Sequence, residues 1–346
     1  MHGKPTKSHL AVQPLSGRLP GLDALRGIAA LCVLYFHLIY HLTPFPELKG
    51  RGYLAVDFFF MLSGYVMART YEHRFASGYG ILRFMRARYW RLWPVMAVGA
   101  LIGTPLVLAD MHYSQQAFII VGANLLLLPS YGIQVLYPTN FVAWSIVGEL
   151  AANLFHVTLA WRWRTSLVAL GALLLLPAVV WYALSFGSLD FGISRNGATG
   201  GIVRALFAYS VGIVLFRWWR DEPVLRIHPA FAFATMPALM VLSQVISSPA
   251  WIFDTAFVVI VCPLLIAGGL AFRRDHWAAT WLGMISFPLY AVHGPILQWA
   301  QRLGLDVITG GMVALALTIL LALLTDPMAG WRGRKLAKAK GRHEVE

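Results

Sequence analysis

Two residues in the stretch LDALRGIAALCVLYFH carry chemistry that hydrocarbon does not welcome: Arg26, a permanent cation, and His37, a titratable ring. They lie eleven positions apart. At ~100° per residue, eleven steps turn a helix through ~1100°, within ~20° of three full turns. The two side chains therefore share one stripe, roughly 16 Å apart along the helix axis. A guanidinium binds anions, often bidentately. A neutral imidazole near pH 7 can take a proton from a hydroxyl or accept an acyl group covalently. The stripe thus offers an anion site at one end and a base or nucleophile at the other.

Further ionisable groups interrupt apolar runs: Asp57 in GYLAVDFFFMLSGY, Glu149 in WSIVGEL, Arg204, and His293 in SFPLYAVHGPI. Such groups at membrane depth are costly and tend to be functional. Counting ~1.5 Å per residue puts His37, Asp57 and Arg204 within ~8 Å of the outer boundary, and Glu149 ~12 Å deep. His293 falls at mid-to-outer depth. Jointly they predict a polar cavity. Singly, each has a plainer role: the histidine as a helix-packing hydrogen-bonder, Asp57 as the partner of Arg204 or an outer-loop cation, Glu149 as a tie to a neighbouring helix. At the other face, RFMRARYWRLWP gathers Arg83, Arg86, Arg88 and Arg91 beside Tyr89, Trp90 and Trp93. Arg88 and Arg91, three apart, share a helical face. They fit a phosphate clamp, but spacing alone favours positively charged topology anchors with an aromatic belt.

The elements that must position these groups follow from composition. The chain has 346 residues, 58% of them hydrophobic and only 12% charged, with a mean hydropathy of +0.65. A soluble domain carries about 25% charged residues, so a polytopic all-α membrane bundle is expected. The net charge of +13 sits in short loops and tails beside apolar runs, which is a topological signature and not a nucleic-acid one. Cys32 and Cys262 both fall in apolar segments, so neither a disulfide framework nor a metal site is indicated. No apolar core precedes Leu19, so residues 1–20 read as a flexible cytoplasmic tail and not a cleavable signal.

Eleven apolar stretches can be marked: 22–42, 52–70, 93–109, 117–129, 141–160, 166–186, 199–217, 229–246, 250–272, 281–300 and 308–326. Both tails are basic. If both are cytoplasmic, the number of crossings is even, so one stretch does not cross. The basic loop at 71–92 and the next, Arg162 to Arg164, lie on the same side only if 117–129 is dropped. That stretch is also short enough for a re-entrant or interfacial segment. Ten spans remain, in one membrane domain over 21–327, followed by a basic cytoplasmic tail over 328–346.

With these pieces in order, the chain resembles the acyltransferase family 3 integral membrane O-acyltransferases of bacterial cell-surface polysaccharides and O-antigens. The resemblance rests on LDALRGIAALCVLYFH, GYLAVDFFFMLSGY, RYWRLWP, WSIVGEL and SFPLYAVHGPI, spread over residues 20 to 295. It implies a multi-pass protein of the bacterial inner membrane that moves an acyl group, acetyl by family habit, from cytoplasmic acyl-CoA to a hydroxyl of a glycan or lipid-linked sugar, with no metal. Arg26, Arg88 and Arg91 would hold the CoA phosphates, with the pantetheine arm along the stripe and the thioester near His37. Glu149 or Asp57 would orient the ring. Arg204, with His293 and Trp144, would serve the substrate or the oxyanion. The chain departs from the family where Ala87 separates Arg86 from Arg88, which leaves the part of Arg86 open. A different class, a proton-coupled transporter or flippase, would also use buried histidine and carboxylates. It would not need the arginine cluster, and no internal repeat is visible in the sequence.

Overall fold

A computed structural model describes residues 17–130, 132–246 and 248–325. The tails expected over 1–20 and 328–346 lie outside those residues, apart from 17–20. Twelve α-helices account for most of the described chain, and no strand occurs among the described residues beyond one isolated bridge, Val135 to Ser194. They are α1 (Pro20–Leu42), α2 (Ala55–Ala76), α3 (Ile81–Asp110), α4 (Gln115–Leu125), α5 (Ala143–Thr158), α6 (Thr165–Phe186) and α7 (Ala198–Trp219). Next come α8 (Pro229–Leu242) and α9 (Ala250–Ala256), which runs through a π-helical stretch, Phe257–Val261, into α10 (Cys262–Ala271). The last two are α11 (Trp277–Arg302) and α12 (Val307–Thr325).

Six of the helical segments are long and apolar enough to cross a bilayer: Pro20–Leu42, Ile81–Asp110, Thr165–Phe186, Arg195–Trp219, Ala250–Ala271 and Val307–Thr325. Helices α2 and α11 match them in length, at 22 and 26 residues, but carry too many polar groups to count by composition. These two lie inside the bundle. Helices α6 and α12 form its outside, with Leu173, Leu174, Trp181, Leu320 and Leu324 exposed. Apolar surface on that scale suits lipid and not water.

Close helix contacts depend on missing side chains, as is common where van der Waals packing drives association. Gly64 of α2 and Gly212 of α7 face the partner's backbone: a Cβ at Gly64 would lie 2.0 Å from Tyr209 O, and one at Gly212 would lie 2.0 Å from Met61 O. On α1, a Cβ at Gly27 would lie 2.7 Å from Leu282 O of α11. The second contact clamps α1 against α11 and so sets which residues meet the Arg26–His37 stripe.

The basic stretch differs from its expected form. Instead of a loop over 71–92, α2 continues to Ala76 and α3 starts at Ile81, leaving a turn of four residues that Gly78 closes with φ +86°. The reason is amphipathicity: Phe84, Arg88 and Leu92 face inward while Arg83, Arg86 and Arg91 stay exposed. Four-residue spacing keeps the inward three on one helical face.

Candidate active site

Helix α1 runs parallel to α11, and the partners of its stripe lie along α11. At one end Arg26 donates from Nε to Ser286 Oγ at 3.0 Å and from Nη2 to Gly283 O at 3.3 Å. Asp23, one turn earlier, accepts from Arg26 Nη2 at 2.8 Å and steadies it. At the other end His37 meets His293. Ser286 and His293 are seven residues apart, two turns of α11, so one helical face serves both ends.

A cavity of about 350 Å³ opens beside Arg26. Arg26, Arg88, Arg91 and Glu149 supply its charge, and Val56, Phe59, Leu92, Val95, Ile146 and Phe287 much of its apolar wall. Arg88 is buried and donates from Nη2 to Glu149 Oε1 at 2.5 Å, and Ser63 Oγ donates to the same oxygen at 2.8 Å. Arg88 Nε is buried without a hydrogen-bond partner. Arg91 is exposed, and among the described residues it has neither an ion pair nor a hydrogen bond. Three guanidiniums against two carboxylates, Glu149 in the lining and Asp23 behind Arg26, leave the cavity positive, with donors to spare, and a buried donor without an acceptor costs ~1–3 kcal/mol. An anion with several acceptor oxygens would satisfy them.

Away from the arginines the cavity stops at Ser145 and Tyr290. Ser145 Oγ donates to Val142 O at 2.9 Å, so the 2.5 Å contact between the two hydroxyls is Tyr290 donating to Ser145. The Tyr290 ring lies between Phe59 (5.6 Å between centroids) and His293 (5.8 Å). Neither His37 nor His293 lines the cavity, and Tyr290 is the wall between it and them.

The protons of the histidine pair follow from their partners. His293 Nδ1 faces two backbone carbonyls, Leu289 O at 3.0 Å and Tyr290 O at 2.9 Å. Carbonyls only accept, so Nδ1 carries hydrogen, and neutral His293 presents its Nε2 lone pair. That lone pair faces His37 Nδ1 at 3.0 Å. His37 Nδ1 must then be the donor, a role also required by Val33 O at 3.1 Å. The basic nitrogen of His37 is therefore Nε2, which has no hydrogen-bond partner among the described residues. A ring with one nitrogen tied down and the other free is the arrangement a general base needs.

Two expectations need correction. Neither Asp57 nor Glu149 reaches His37, so neither orients it. Glu149 is held by Arg88 and Ser63, and Asp57 forms a bidentate pair with Arg204, Nε to Oδ1 at 2.7 Å and Nη2 to Oδ2 at 2.6 Å. Both members of that pair are buried. Arg204 also donates to Phe191 O at 3.2 Å and Tyr53 O at 3.1 Å, with the Trp144 and Phe191 rings beside its guanidinium. A cation saturated in this way has little left for an oxyanion, and Trp144 serves to pack Arg204. Burial explains the pairing, since an isolated charge at that depth would cost far more than one matched in a fork. The orienting partner of His37 is His293. Ser63, Ser286 and Tyr290 were not singled out from the sequence, although all three fall inside the motifs quoted above. Spacing could have found two of them, because Ser286 and Tyr290 precede His293 by two turns and by three residues, on its own face.

Against a family profile described as an acyltransferase domain, acyltransferase family 3, residues 19–326 match. The chain belongs to that family. Among its relatives, Protein 2 in the picA locus of Rhizobium radiobacter is 32% identical over 180 residues, 46% of this chain and 90% of that protein. A putative membrane-bound transacylase, BcsY of Komagataeibacter xylinus, is 25% identical over 336 residues, 88% of this chain and 80% of the relative. No solved structure matches. This acyltransferase therefore has two distinct polar features along α1 and α11: a basic cavity, and a histidine pair behind its end wall.

Proposed function

We propose that this membrane acyltransferase takes its acyl group, an acetyl group, from cytoplasmic acyl-CoA and moves it to a hydroxyl of a cell-surface or lipid-linked glycan on the far side of a bacterial inner membrane. The observation that carries the reading is the cavity that gathers Arg26, Arg88 and Arg91 at one end and abuts, through Tyr290, the His37–His293 pair at the other. The unpartnered Arg88 Nε and the free Arg91 suit phosphate oxygens, while the apolar wall between them and Tyr290 suits a pantetheine arm. In this reading α2, α5, α8 and α11 cross along with the six more apolar segments, which makes ten crossings and leaves both termini cytoplasmic.

The chemistry follows from the free Nε2. The acceptor oxygen bonds to the thioester carbonyl carbon as His37 Nε2 takes the hydroxyl proton. The carbon–sulfur bond breaks, the leaving thiolate recovers that proton from the imidazolium, and His37 returns to neutral. While charged, the ring shares its Nδ1 hydrogen with His293 Nε2 and Val33 O, which stabilises the imidazolium. The Tyr290–Ser145 hydrogen bond closes the cavity short of the pair, so the thioester meets His37 once that bond opens.

Purified protein in nanodiscs, given acetyl-CoA and a glycan acceptor, should release free thiol. His37→Ala should lower the rate ~10²–10⁴-fold, the range of a lost general base, with the protein still monodisperse. Full turnover in that variant would remove His37 from the mechanism.

A further inference from the structure

A second cavity, about 610 Å³, opens at the opposite end of the bundle, where α1, α3 and α11 finish. Its volume is in the range of small-molecule sites. It approaches the histidine pair from the side away from the arginines. Phe141 lines it, and the Phe141 ring centroid lies 4.9 Å from that of His37 and 5.7 Å from that of His41. The two cavities therefore converge on His37 from opposite ends, divided by Tyr290 on one side and bounded by Phe141 on the other.

The chemistry of the two cavities contrasts. The second contains one cation and one anion, Arg302 and Asp110, and these pair with each other at 2.6 Å. What remains polar is neutral: the amides of Gln134, Gln298 and Gln301. Their hydrogen-bonding capacity is only partly used. Gln298 Oε1 is buried without a partner. Gln301 Oε1 accepts from His41 Nδ1 at 3.0 Å, which leaves its NH₂ group to donate. An unused acceptor and an unused donor three residues apart on α11 share one helical face. Adjacent hydroxyls, each both donor and acceptor, would match them.

Resting on the reading of His37 as the base, we infer that this cavity is the acceptor site and that its ligand is an uncharged sugar. Its hydroxyls pair with Gln298 and Gln301, a face of the ring lies on Phe141, and one hydroxyl meets His37 Nε2 once the Phe141 ring that parts them turns aside. Arg302 and Asp110 pair and cancel, so the lining carries no net charge to draw a carboxylated, phosphorylated or amino sugar. Charge thus sorts the two substrates, the anionic carrier to one cavity and the neutral acceptor to the other.

The test separates this site from the proposed reaction. Binding of a neutral methyl hexoside to the full-length protein in nanodiscs, read by saturation-transfer NMR, needs no turnover. Gln298→Leu and, as a second variant at an exposed position, Gln301→Ala should each weaken it, Gln298→Leu by about tenfold, the factor of one buried hydrogen bond. In the thiol-release assay, KM for the hexoside should rise in Gln298→Leu by a similar factor while KM for acetyl-CoA holds. Unchanged hexoside affinity in both variants, or a methyl hexuronoside bound as well as the hexoside, overturns the inference. Hexoside binding that these variants weaken, in a protein that never cleaves the thioester, overturns the acyl-transfer reading and leaves the sugar site standing.

Discussion

The His37–His293 pair makes a graded prediction. His293 touches neither cavity, so its role is to hold the His37 tautomer and to share charge once His37 is protonated. Removing it in His293→Ala deletes one hydrogen bond from a charged donor, worth about 1.5–3 kcal/mol, or roughly 10- to 150-fold in rate. The loss should fall near the lower end, because Val33 O, 3.1 Å from His37 Nδ1, remains to keep hydrogen on that nitrogen. His37→Ala removes the base itself and should cost more. The assay is the initial rate of thiol release at saturating acetyl-CoA, normalised to monodisperse protein. KM for acetyl-CoA should be unchanged in His293→Ala, since that side chain lies behind Tyr290. His293→Gln should recover much of the rate, because an amide oxygen can accept from His37 Nδ1. If His293→Ala falls as far as His37→Ala, or if glutamine does no better than alanine, the proton assignment is wrong.

Asp57→Asn should destabilise the fold by about 3–5 kcal/mol, the cost of leaving a buried cation unmatched, seen as a lower melting temperature by tryptophan fluorescence. Asp57→Leu combined with Arg204→Met should regain much of that stability, and turnover per folded molecule should stay within about threefold. Arg91→Ala should raise KM for acetyl-CoA by about three- to tenfold, a charge-assisted contact discounted for exposure, without moving the melting temperature. Asp306 caps α12, accepting from the Thr309 hydroxyl at 2.6 Å, from Thr309 N at 3.0 Å and from Ile308 N at 2.9 Å, and these bonds, the hydroxyl's first, hold its carboxyl below the usual range. A lowered folded-state value means the cap stabilises above the ordinary aspartate range and is lost as pH falls through the folded-state value. Amide exchange at the start of α12, compared between wild type and Asp306→Ala, should therefore differ at neutral pH and converge in strong acid.

The all-helical membrane character was legible because it rests on composition and run length, and both are one-dimensional. The eleven-residue spacing also carried over: Arg26 and His37 do share a stripe, since helix geometry converts spacing into direction with little help from the rest of the chain. What the sequence could not show was which partner each buried group meets. Asp57 and Glu149 lie at similar depth to His37 by residue count, yet depth says nothing about azimuth around the bundle. Gly64 and Gly212 bring α2 against α7 and so give Asp57 to Arg204, while Gly27 brings α1 against α11 and gives His37 to His293. The loop expected over 71–92 failed for a related reason. Counting its arginines as charges gives the side of the membrane and not the secondary structure, and at helical spacing Phe84, Arg88 and Leu92 form an inward row.

Within the bundle, the accounting of arginine donors separates architecture from chemistry. Arg204 and Arg88 are equally out of reach of water, one 1% and the other 4% exposed. Arg204 spends its guanidinium on a carboxylate fork and two carbonyls, so every contact it makes is already present in the resting protein. Arg88 satisfies one nitrogen on Glu149 and keeps Nε unmatched in a cavity that the exposed Arg91 and the tethered Arg26 also face. A fold selected for stability alone would close that deficit, since each unmatched buried donor costs free energy. Its persistence beside two further cations is the physical reason to place the anionic substrate there, and not at the fully paired Arg204.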